Sequence, residues 1–348
     1  MRFEPGALVE FATAALLRAG MDSQAATVAQ VLAEGDLLGH ETHGLALLAG
    51  YVGELERGSM QGSGGPDVLR DQGAVAHWDG RWLSGTSLVT AAIETAAEKA
   101  RALGIGAVSI QRAHHTACLQ AYLERPARQG LMVLIASSDP ASATVAAFGG
   151  LDPVLGPDPI AVGIPTSGDP ILIDMSSSIT TNGMVARTRS EGARLKGTWL
   201  QDSEGNLTDD PAVIGSEPPG TLLLAGGHDH GHKGYGLALT VEALSQGLSG
   251  YGRANREQRW SASVFVQVLD PAVFSGIDSY TDQTDHLVRL CRGSRARAKA
   301  VRLPGEQALK NKRDALTYGL LMRPDILTQL EALSRRTGVP LPEPLPAQ

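Results

Sequence analysis

Two histidines and a glutamate stand within six residues in the segment GHETHG, residues 39–44. The pKa of an imidazole lies near neutrality, so a histidine is suited to proton transfer. Thr42 predicts the N-cap of a helix, which would place His43 in the first turn, where the helix dipole disfavours a charged ring. His43 is therefore predicted either as a neutral acid–base group or as a structural residue. A metal site is disfavoured, because His40 and His43 are three residues apart and helical ligand pairs are usually four apart.

Three further polar motifs each follow an apolar segment with the character of a strand. They are QRAHHTA (111–117), SSDP (137–140) and IDMSSS (173–178). Open α/β sheets bind ligands at the carboxyl ends of their strands, so we expect these motifs to share one sheet edge. His114 and His115 are adjacent, so at most one of them faces a pocket. A surface histidine, a simple turn and a helix cap are the alternatives for the three motifs.

The segment GHDHGHKGYG, residues 227–236, places glycines, histidines and a lysine before an apolar helix. Free N–H groups at a helix start, together with the Lys233 cation, predict an anion site. Metal binding by His228, His230 and His232 is one alternative, and a flexible exposed loop is the other.

Helices and strands alternate along the middle of the chain, a pattern that predicts an α/β fold. The chain opens with three predicted helices. The first covers residues 5–18, the second is capped by Ser23, and the third is capped by Thr42. A loop follows at 59–67, and a helical segment covers 306–335. Strands are predicted at 74–78, 105–111, 131–137, 160–164, 171–174, 222–225 and 263–269, and further helices at 86–103 and 117–129.

The composition limits the class of protein. Apolar residues make up 43% of the 348 residues and charged residues 19%, as in a soluble globular protein. The net charge of −7 argues against a nucleic-acid-binding protein. No apolar run reaches the roughly 18 residues of a membrane helix, and the N-terminus lacks the features of a signal peptide. Two cysteines exclude a disulfide scaffold, so we expect a cytoplasmic protein that does not bind a membrane.

The motifs of several common nucleotide and hydrolase sites are missing. Ser109 stands where the third glycine of a G-x-G-x-x-G pattern would follow Gly104 and Gly106, and there is no P-loop and no G-x-S-x-G. The 41 glycines, about 12% of the chain against a usual 7%, are spread along it and indicate many tight turns. A conventional Rossmann cofactor site is therefore not expected.

Together and in their order, these motifs resemble the malate/L-lactate/ureidoglycolate dehydrogenase family, which is separate from the Rossmann-type lactate and malate dehydrogenases. The matching stretches are GHETHG, the histidine of QRAHHTA, SSDP followed by FGG (148–150), GPDPIAVGIPT (156–166), IDMSSS, GHKGYGLAL (231–239) and RLPGE (302–306). They span nearly the whole chain.

The resemblance implies a non-Rossmann α/β fold that binds NAD or NADP. It also implies a homodimer with its active sites between subunits. We expect a helical segment of residues 1–72 that packs with C-terminal helices within 305–348, and an α/β domain of residues 73–304 for cofactor binding and catalysis.

The resemblance also implies roles for individual residues. His43 matches the acid–base residue of several members, and His115 matches the histidine with that role in ureidoglycolate dehydrogenase. Asp174 matches an aspartate that supports the acid–base histidine. The positions implied for cofactor contacts are Ser138, Asp174, Met175, Ser176, His232, Lys233, Pro304, Gly305 and Glu306. Those implied for substrate contacts are Thr42, Leu47 and Tyr51, and no residue is assigned to a metal.

The expected chemistry is hydride transfer between NAD(P)H and the carbonyl or imine carbon of a small 2-oxo acid, cyclic imino acid or related ketone. The reverse reaction would oxidise a 2-hydroxy acid. Leu47 and Gly50 stand where members that act on such acids often carry arginine. Either another cation, Arg187 or Arg189, binds the carboxylate, or the substrate presents an apolar group. The alternative functions are a non-catalytic nicotinamide-binding protein on the same scaffold and a histidine-metal hydrolase.

Overall fold

A mixed seven-stranded sheet lies at the centre of the structure, a computed structural model that describes residues 1–297 and 299–346. The strands are β1 (Arg2–Phe3), β2 (Asp67–Gln72), β3 (Val75–Asp79), β4 (Ile105–Ala113), β5 (Met132–Ser138), β6 (Val145–Ala146), β7 (Pro153–Leu155), β8 (Ile160–Ile164), β9 (Ile171–Met175), β10 (Leu200–Gln201), β11 (Leu207–Thr208), β12 (Thr221–Leu222), β13 (Ala262–Leu269) and β14 (Leu320–Leu321). The helices are α1 (Pro5–Arg18), α2 (Ala25–Leu38), α3 (Leu48–Glu56), α4 (Gly85–Leu103), α5 (Glu124–Arg128), α6 (Asn182–Ser190), α7 (Gly227–His230), α8 (His232–Glu242), α9 (Pro271–Phe274), α10 (Ile277–Gly293), α11 (Glu306–Tyr318) and α12 (Pro324–Thr337).

The strand order of the large sheet is β2-β3-β4-β13-β5-β8-β9. Strand β13 runs antiparallel to both of its neighbours, so β4 and β5 are parallel to each other. Strand β8 is antiparallel to β5 and to β9, so β9 also points the same way. The carboxyl ends of β4, β5 and β9 therefore share one edge with the start of β13. The expectation that the three polar motifs share a sheet edge is confirmed.

Strands β5 and β13 are apolar along their length because both of their faces are covered. One face packs against α4, whose buried side chains include Val89, Ala92 and Ala96. A second sheet, with the order β11-β10-β12-β6-β7, lies beside the first. Its apolar cluster contains Val185 of α6 and Ala238 of α8, so it holds these two helices in place.

The helices at the two ends of the chain pack against each other. Helix α1 has the predicted bounds, and its buried residues include the predicted apolar face (Leu8, Phe11, Ala15 and Leu16). Asn311 of α11 donates a hydrogen bond to the Leu38 carbonyl, and Lys312 contacts Glu34 of α2 at 2.6 Å. One apolar cluster joins α1–α3 and α12 to the large sheet. The division at residues 72 and 304 stays a prediction, and β2, which lies before 72, belongs to the sheet.

The predicted helix caps at Ser23 and Thr42 are wrong. Helix α2 begins at Ala25 without a side-chain cap, and the chain turns through 41–44 into a 3-10 helix, Leu45–Leu47, before α3. The cap of this 3-10 helix comes from another helix, because Asp36 of α2 accepts the Leu45 N–H. His43 therefore precedes the helix and does not lie in its first turn.

The single helix predicted at 117–129 is also wrong. The chain forms a 3-10 helix, Leu119–Tyr122, and then α5. Pro126 lies in the first turn of α5, where its missing N–H costs no hydrogen bond. The helical segment predicted at 306–335 is two helices, separated by β14. Strand β2 and helix α10 had no counterpart in the sequence-based prediction. No described helix has the length and apolar character needed to cross a membrane.

Candidate active site

A cavity of about 710 Å³ opens at the sheet edge where the polar motifs meet. Its wall is built from the turn that carries His43, the chain after β4, the ends of β5 and β9, the start of α6, and the residues that lead into β13. This volume is typical of a small-molecule site, which usually occupies about 300–1,000 Å³.

His43 lies in the cavity wall. Its Nδ1 is 2.9 Å from the Thr42 hydroxyl. Burial, with a smaller contribution from the nearby His40, lowers the pKa of His43 to about 4. The ring is therefore neutral at pH 7 and can accept a proton. Burial, and not a helix dipole, is the cause of this neutrality.

His115 lies on the same cavity, with its ring centroid 6.0 Å from that of His43. Its Nδ1 accepts a hydrogen bond from the Ala117 N–H at 3.3 Å and lies 3.0 Å from the Tyr51 hydroxyl. A neutral ring whose Nδ1 is an acceptor carries its proton on Nε2. Burial lowers the pKa of His115 well below its usual value. His115 can therefore offer one N–H donor to a bound molecule.

His114 is buried and does not line the cavity. Its Nε2 lies 3.5 Å from a Glu54 carboxylate oxygen, and its ring packs edge-on against Trp260 with centroids 5.3 Å apart. Burial lowers the pKa of His114 to about 4. As expected for adjacent residues, only one of the two histidines faces the pocket.

Asp174 lies in the cavity wall at the end of β9. Its Oδ2 accepts a hydrogen bond from the Gln120 N–H at 2.8 Å and lies 3.8 Å from the Cys118 sulfur. Burial raises the pKa of Asp174, and the neighbouring His40 acts against this rise. The hydrogen bonds of Asp174 thus come from the chain after β4 and not from His43. Its support of the acid–base histidine stays a prediction.

The side chains of His40, Cys118 and Asp174 are the group in the described chain that could hold a metal ion, with ligand atoms within 4.8 Å of one another. However, His40 Nε2 lies 2.8 Å from the Gln120 side-chain oxygen. Burial also raises the pKa of the Cys118 thiol well above its usual range, which disfavours the thiolate that binds metals. Across residues 1–297 and 299–346, the histidines of 228–232 belong to no such group.

Two further side chains in the cavity wall are those of Trp260 and Arg187. Trp260 lines the cavity, although no motif pointed to it, because it precedes β13 at the shared edge. Arg187, one of the two cations named from the sequence, also lines the cavity. The other, Arg189, is exposed, and its guanidinium lies against Gly215.

Comparison with known proteins gives the same assignment as the motifs. The family model for malate/L-lactate dehydrogenase matches residues 3–331. The chain belongs to the malate/L-lactate dehydrogenase family. It is 27% identical to the L-sulfolactate dehydrogenase of Methanothermobacter thermautotrophicus over 322 residues, which cover 90% of each chain. It is 28% identical to the malate dehydrogenase of Pyrococcus abyssi over 351 residues, with 97% of this chain and 96% of the relative covered.

The family's fold is confirmed by a solved structure. The malate dehydrogenase of Entamoeba histolytica superposes with a TM-score of 0.93 at 24% sequence identity, and the match covers 99% of both chains. The expectation of an α/β fold outside the Rossmann class is therefore confirmed.

The positions that the family resemblance assigns to cofactor contacts lie partly in the cavity wall and partly outside it. Asp174, Met175 and Ser176 line the cavity. Ser138 does not: its hydroxyl donates to Glu242 at 2.7 Å and accepts from the Gln246 amide at 2.7 Å. Both hydrogen-bonding functions of this hydroxyl are thus used inside the protein, and a cofactor contact by Ser138 stays a prediction.

His232 and Lys233 are exposed at the start of α8. The next residue, Gly234, packs so closely that an added Cβ would lie 2.6 Å from the Ser177 carbonyl oxygen. The turn that carries Lys233 therefore lies beside the Ser176 wall of the cavity. Within the described residues, no carboxylate lies within 4.0 Å of the Lys233 ammonium.

The turn of Pro304, Gly305 and Glu306 lies along the free edge of β9. The Pro304 carbonyl accepts the Leu172 N–H at 3.1 Å. Gly305 has a φ of 89°, and an added Cβ would lie 2.7 Å from the Leu172 Cβ, so a side chain here would be strained and crowded. Glu306 pairs with Arg292 of α10.

The three positions implied for substrate contacts differ in their exposure to the cavity. Thr42 and Leu47 line it, whereas Tyr51 is fully buried. The Tyr51 hydroxyl contacts both Nδ1 and the carbonyl oxygen of His115. Tyr51 therefore orients the histidine from behind, and its direct contact with a substrate stays a prediction.

Proposed function

We propose that this protein is an oxidoreductase that transfers a hydride between NAD(P)H and the carbonyl or imine carbon of a small 2-oxo acid, cyclic imino acid or related ketone. In reverse it would oxidise a 2-hydroxy acid. The observation that carries the proposal is the pair of neutral histidines, His43 and His115, whose ring centroids lie 6.0 Å apart on one cavity. Membership of the malate/L-lactate dehydrogenase family supports hydride transfer as the type of reaction.

The residues present fit a nicotinamide dinucleotide, either NAD or NADP. The cavity has the volume of a small-molecule site, with Met175 and Ser176 in its wall. Lys233 offers an exposed cation on the turn beside Ser176, as a pyrophosphate requires. Gly183 at the start of α6 lies beside the His43 ring, since an added Cβ would be in van der Waals contact with Cε1 of His43 at 3.7 Å. When bound, the nicotinamide supplies or accepts the hydride.

His43 and His115 would divide the work at the substrate oxygen. In the oxidative direction, the Nδ1–H of neutral His43 would donate to the Thr42 hydroxyl, and its unprotonated Nε2 would accept the hydroxyl proton of the substrate. His115 would donate its Nε2–H to the same oxygen and stabilise the negative charge that develops there. In the reductive direction His43 must first be charged. A bound substrate carboxylate would favour this, because a nearby negative charge raises the pKa of an imidazole.

Asp174 would support the acid–base histidine through the turn of residues 39–43. His40 lies within 4.8 Å of the Asp174 carboxylate, three residues before His43. The Asp174 carboxylate accepts the Gln120 N–H, and the Gln120 side-chain oxygen lies 2.8 Å from His40 Nε2, so the carboxylate would hold the turn through Gln120. This route replaces a direct hydrogen bond from His43 to Asp174.

We also propose a homodimer. The apolar faces of α1–α3 are buried within the chain. Exposed apolar side chains lie instead on α9 and α10, where Phe274 is 68% and Leu290 is 59% exposed. Sedimentation equilibrium should give twice the 36.4 kDa chain mass. A fully active monomer would contradict the proposal.

A panel of 2-oxo acids, cyclic imino acids and ketones, tested with NADH and with NADPH, examines the proposed function directly. Consumption of the reduced cofactor is followed by its absorbance, and the same preparation undergoes elemental analysis. Binding of NAD(P)H without turnover of any compound would favour a non-catalytic protein. Stoichiometric bound zinc with hydrolytic activity would favour a metal hydrolase.

A further inference from the structure

The cavity has an apolar wall beside the two histidines. The Trp260 ring packs against the His115 ring, with centroids 4.5 Å apart and 30° between the ring planes. Leu47 lines the same cavity. Gly50 of α3 lies beside the indole, since an added Cβ there would be in van der Waals contact with the Trp260 ring at 3.8 Å.

A cation lies on the α6 side of the same cavity. Helix α6 approaches His43 at Gly183. Arg187 lies four residues further along α6 and therefore on the same face of the helix as Gly183. Four residues along an α-helix rise about 6 Å, and Arg187 and His43 line the same cavity, so one ligand could contact both side chains. Arg189, two residues on, lies on a different face against Gly215.

The Arg187 guanidinium keeps donors for a ligand, although its Nη2 donates a hydrogen bond to the Met184 sulfur, a weak acceptor, at 3.3 Å. In the part of the chain that the structure describes, its one ion pair within 4.0 Å is with Glu41, at 3.8 Å. That distance is too long for a direct hydrogen bond. Glu41 also lies 3.6 Å from Arg323, so its charge stays compensated when Arg187 binds another anion. A planar guanidinium suits bidentate binding of a carboxylate.

We infer that the substrate is a 2-oxo acid, or the corresponding imino acid, with an aromatic or bulky apolar side chain. Its carboxylate would pair with Arg187, and its side chain would cover Leu47 and Trp260. This inference rests on the proposed function and specifies its substrate. Pyruvate would leave the apolar wall uncovered, and the second carboxylate of oxaloacetate would lie against Leu47 and Trp260 without a partner, which is costly.

The first test compares kcat/KM for phenylpyruvate, pyruvate and oxaloacetate with the reduced cofactor that the enzyme uses. Burial of the benzyl group of phenylpyruvate instead of the methyl group of pyruvate should favour phenylpyruvate by about 30-fold or more. Equal or higher efficiency with pyruvate or oxaloacetate would overturn the inference.

Two pairs of variants test the two contacts. Arg187→Gln should lower kcat/KM for every acid by about 10- to 100-fold, whereas Arg189→Gln on the same helix should leave it unchanged.

Trp260→Ala should lower the ratio of phenylpyruvate to pyruvate efficiency at least about fivefold, and Trp260→Phe should retain most of that ratio. Equal effects of the two arginine changes, or an unchanged ratio in Trp260→Ala, would overturn the corresponding contact.

Leu47→Arg tests the apolar wall by placing a positive charge in it. The new guanidinium should raise the ratio of oxaloacetate to phenylpyruvate efficiency at least about tenfold, because it supplies the missing partner for the second carboxylate. A ratio that stays constant would show that Leu47 does not face the substrate side chain.

A binding measurement separates this inference from the proposed function. Titration calorimetry with phenylpyruvate and pyruvate, in the presence of the oxidised cofactor, requires no turnover. Tighter binding of phenylpyruvate that is lost in Arg187→Gln supports the ligand assignment by itself. If that binding is found and no acid is reduced with either cofactor, the proposed function fails and the ligand assignment stands.

Discussion

The carboxylate of Asp36 accepts a hydrogen bond from the backbone N–H of Leu45 at 2.7 Å. Asp36 is buried in α2, and burial raises its pKa to about 7. Gly44 makes the contact sterically feasible, because a Cβ at that position would overlap the Asp36 carboxylate. One side chain of α2 thus fixes the start of the 3-10 helix that directly follows His43.

Replacing Asp36 should loosen the turn that carries His43. Asp36→Ala leaves the buried Leu45 N–H without an acceptor, which should cost about 1–3 kcal/mol of the free energy of unfolding in urea. Asp36→Asn keeps an acceptor oxygen in the same place and should retain most of that stability. Equal losses in the two variants would show that the hydrogen bond is not the source of the effect.

His43 should be needed for turnover and not for folding. A positioned acid–base group contributes roughly 10² to 10⁴ in rate, so His43→Ala should lose about that much kcat with unchanged cofactor affinity and circular dichroism. His115→Ala, measured in parallel, is the matched comparison. An inactive His115→Ala beside a nearly normal His43→Ala would transfer the proton-transfer role to His115.

Cofactor affinity should depend on the Lys233 charge. Lys233→Ala should weaken NAD(P)H binding at least about tenfold, or 1.4 kcal/mol, because the ammonium pairs with phosphate. Lys233→Arg retains the charge and should bind nearly as well as the wild type. Unchanged affinity of Lys233→Ala in a fluorescence titration, with the fold intact, would rule out the phosphate contact.

The protein should lose stability in mild acid through His114. Burial lowers its folded-state pKa to about 4, whereas the unfolded value is about 6.5. Between these two values the unfolded chain binds a proton that the folded chain excludes, so stability falls as the pH falls and levels off below about pH 4. The free energy of unfolding of the wild type, minus that of His114→Gln, should fall by about 3 kcal/mol from pH 7 to pH 4. A constant difference would mean that folded His114 titrates normally.

Local patterns predicted the elements that depend on local interactions. The bounds of α1 follow from its apolar spacing and the flanking Pro5 and Gly20, and those of β8 follow from its short apolar run, so both elements could be predicted closely. The meeting of the His115 and Asp174 motifs at one sheet edge also follows from the sequence, because both motifs end an apolar strand. Thr42 misled the prediction because the real cap, Asp36, comes from a preceding helix.

Contacts between distant segments could not be predicted in this way. Trp260 reaches the cavity because β13 runs antiparallel to its neighbours, and no local pattern indicates that direction. Ser138 follows an apolar strand like the other site residues, yet Glu242 and Gln246 of a distant segment use its hydroxyl. Which of Arg187 and Arg189 lines the cavity depends on the face of α6 that packs toward it, and this packing is not a local property of the sequence.

The central position of β13 has a consequence for how the chain folds. Strands β2, β3 and β4 can pair as soon as they are made, and so can β5, β8 and β9, but only β13 joins these two groups. Until residues 262–269 leave the ribosome, the nascent chain carries β4 and β5 with unpaired edges, which are prone to aggregation. A chain that stops before this strand lacks the strand that pairs with both β4 and β5, and the two halves of the sheet then have no shared ladder of backbone hydrogen bonds.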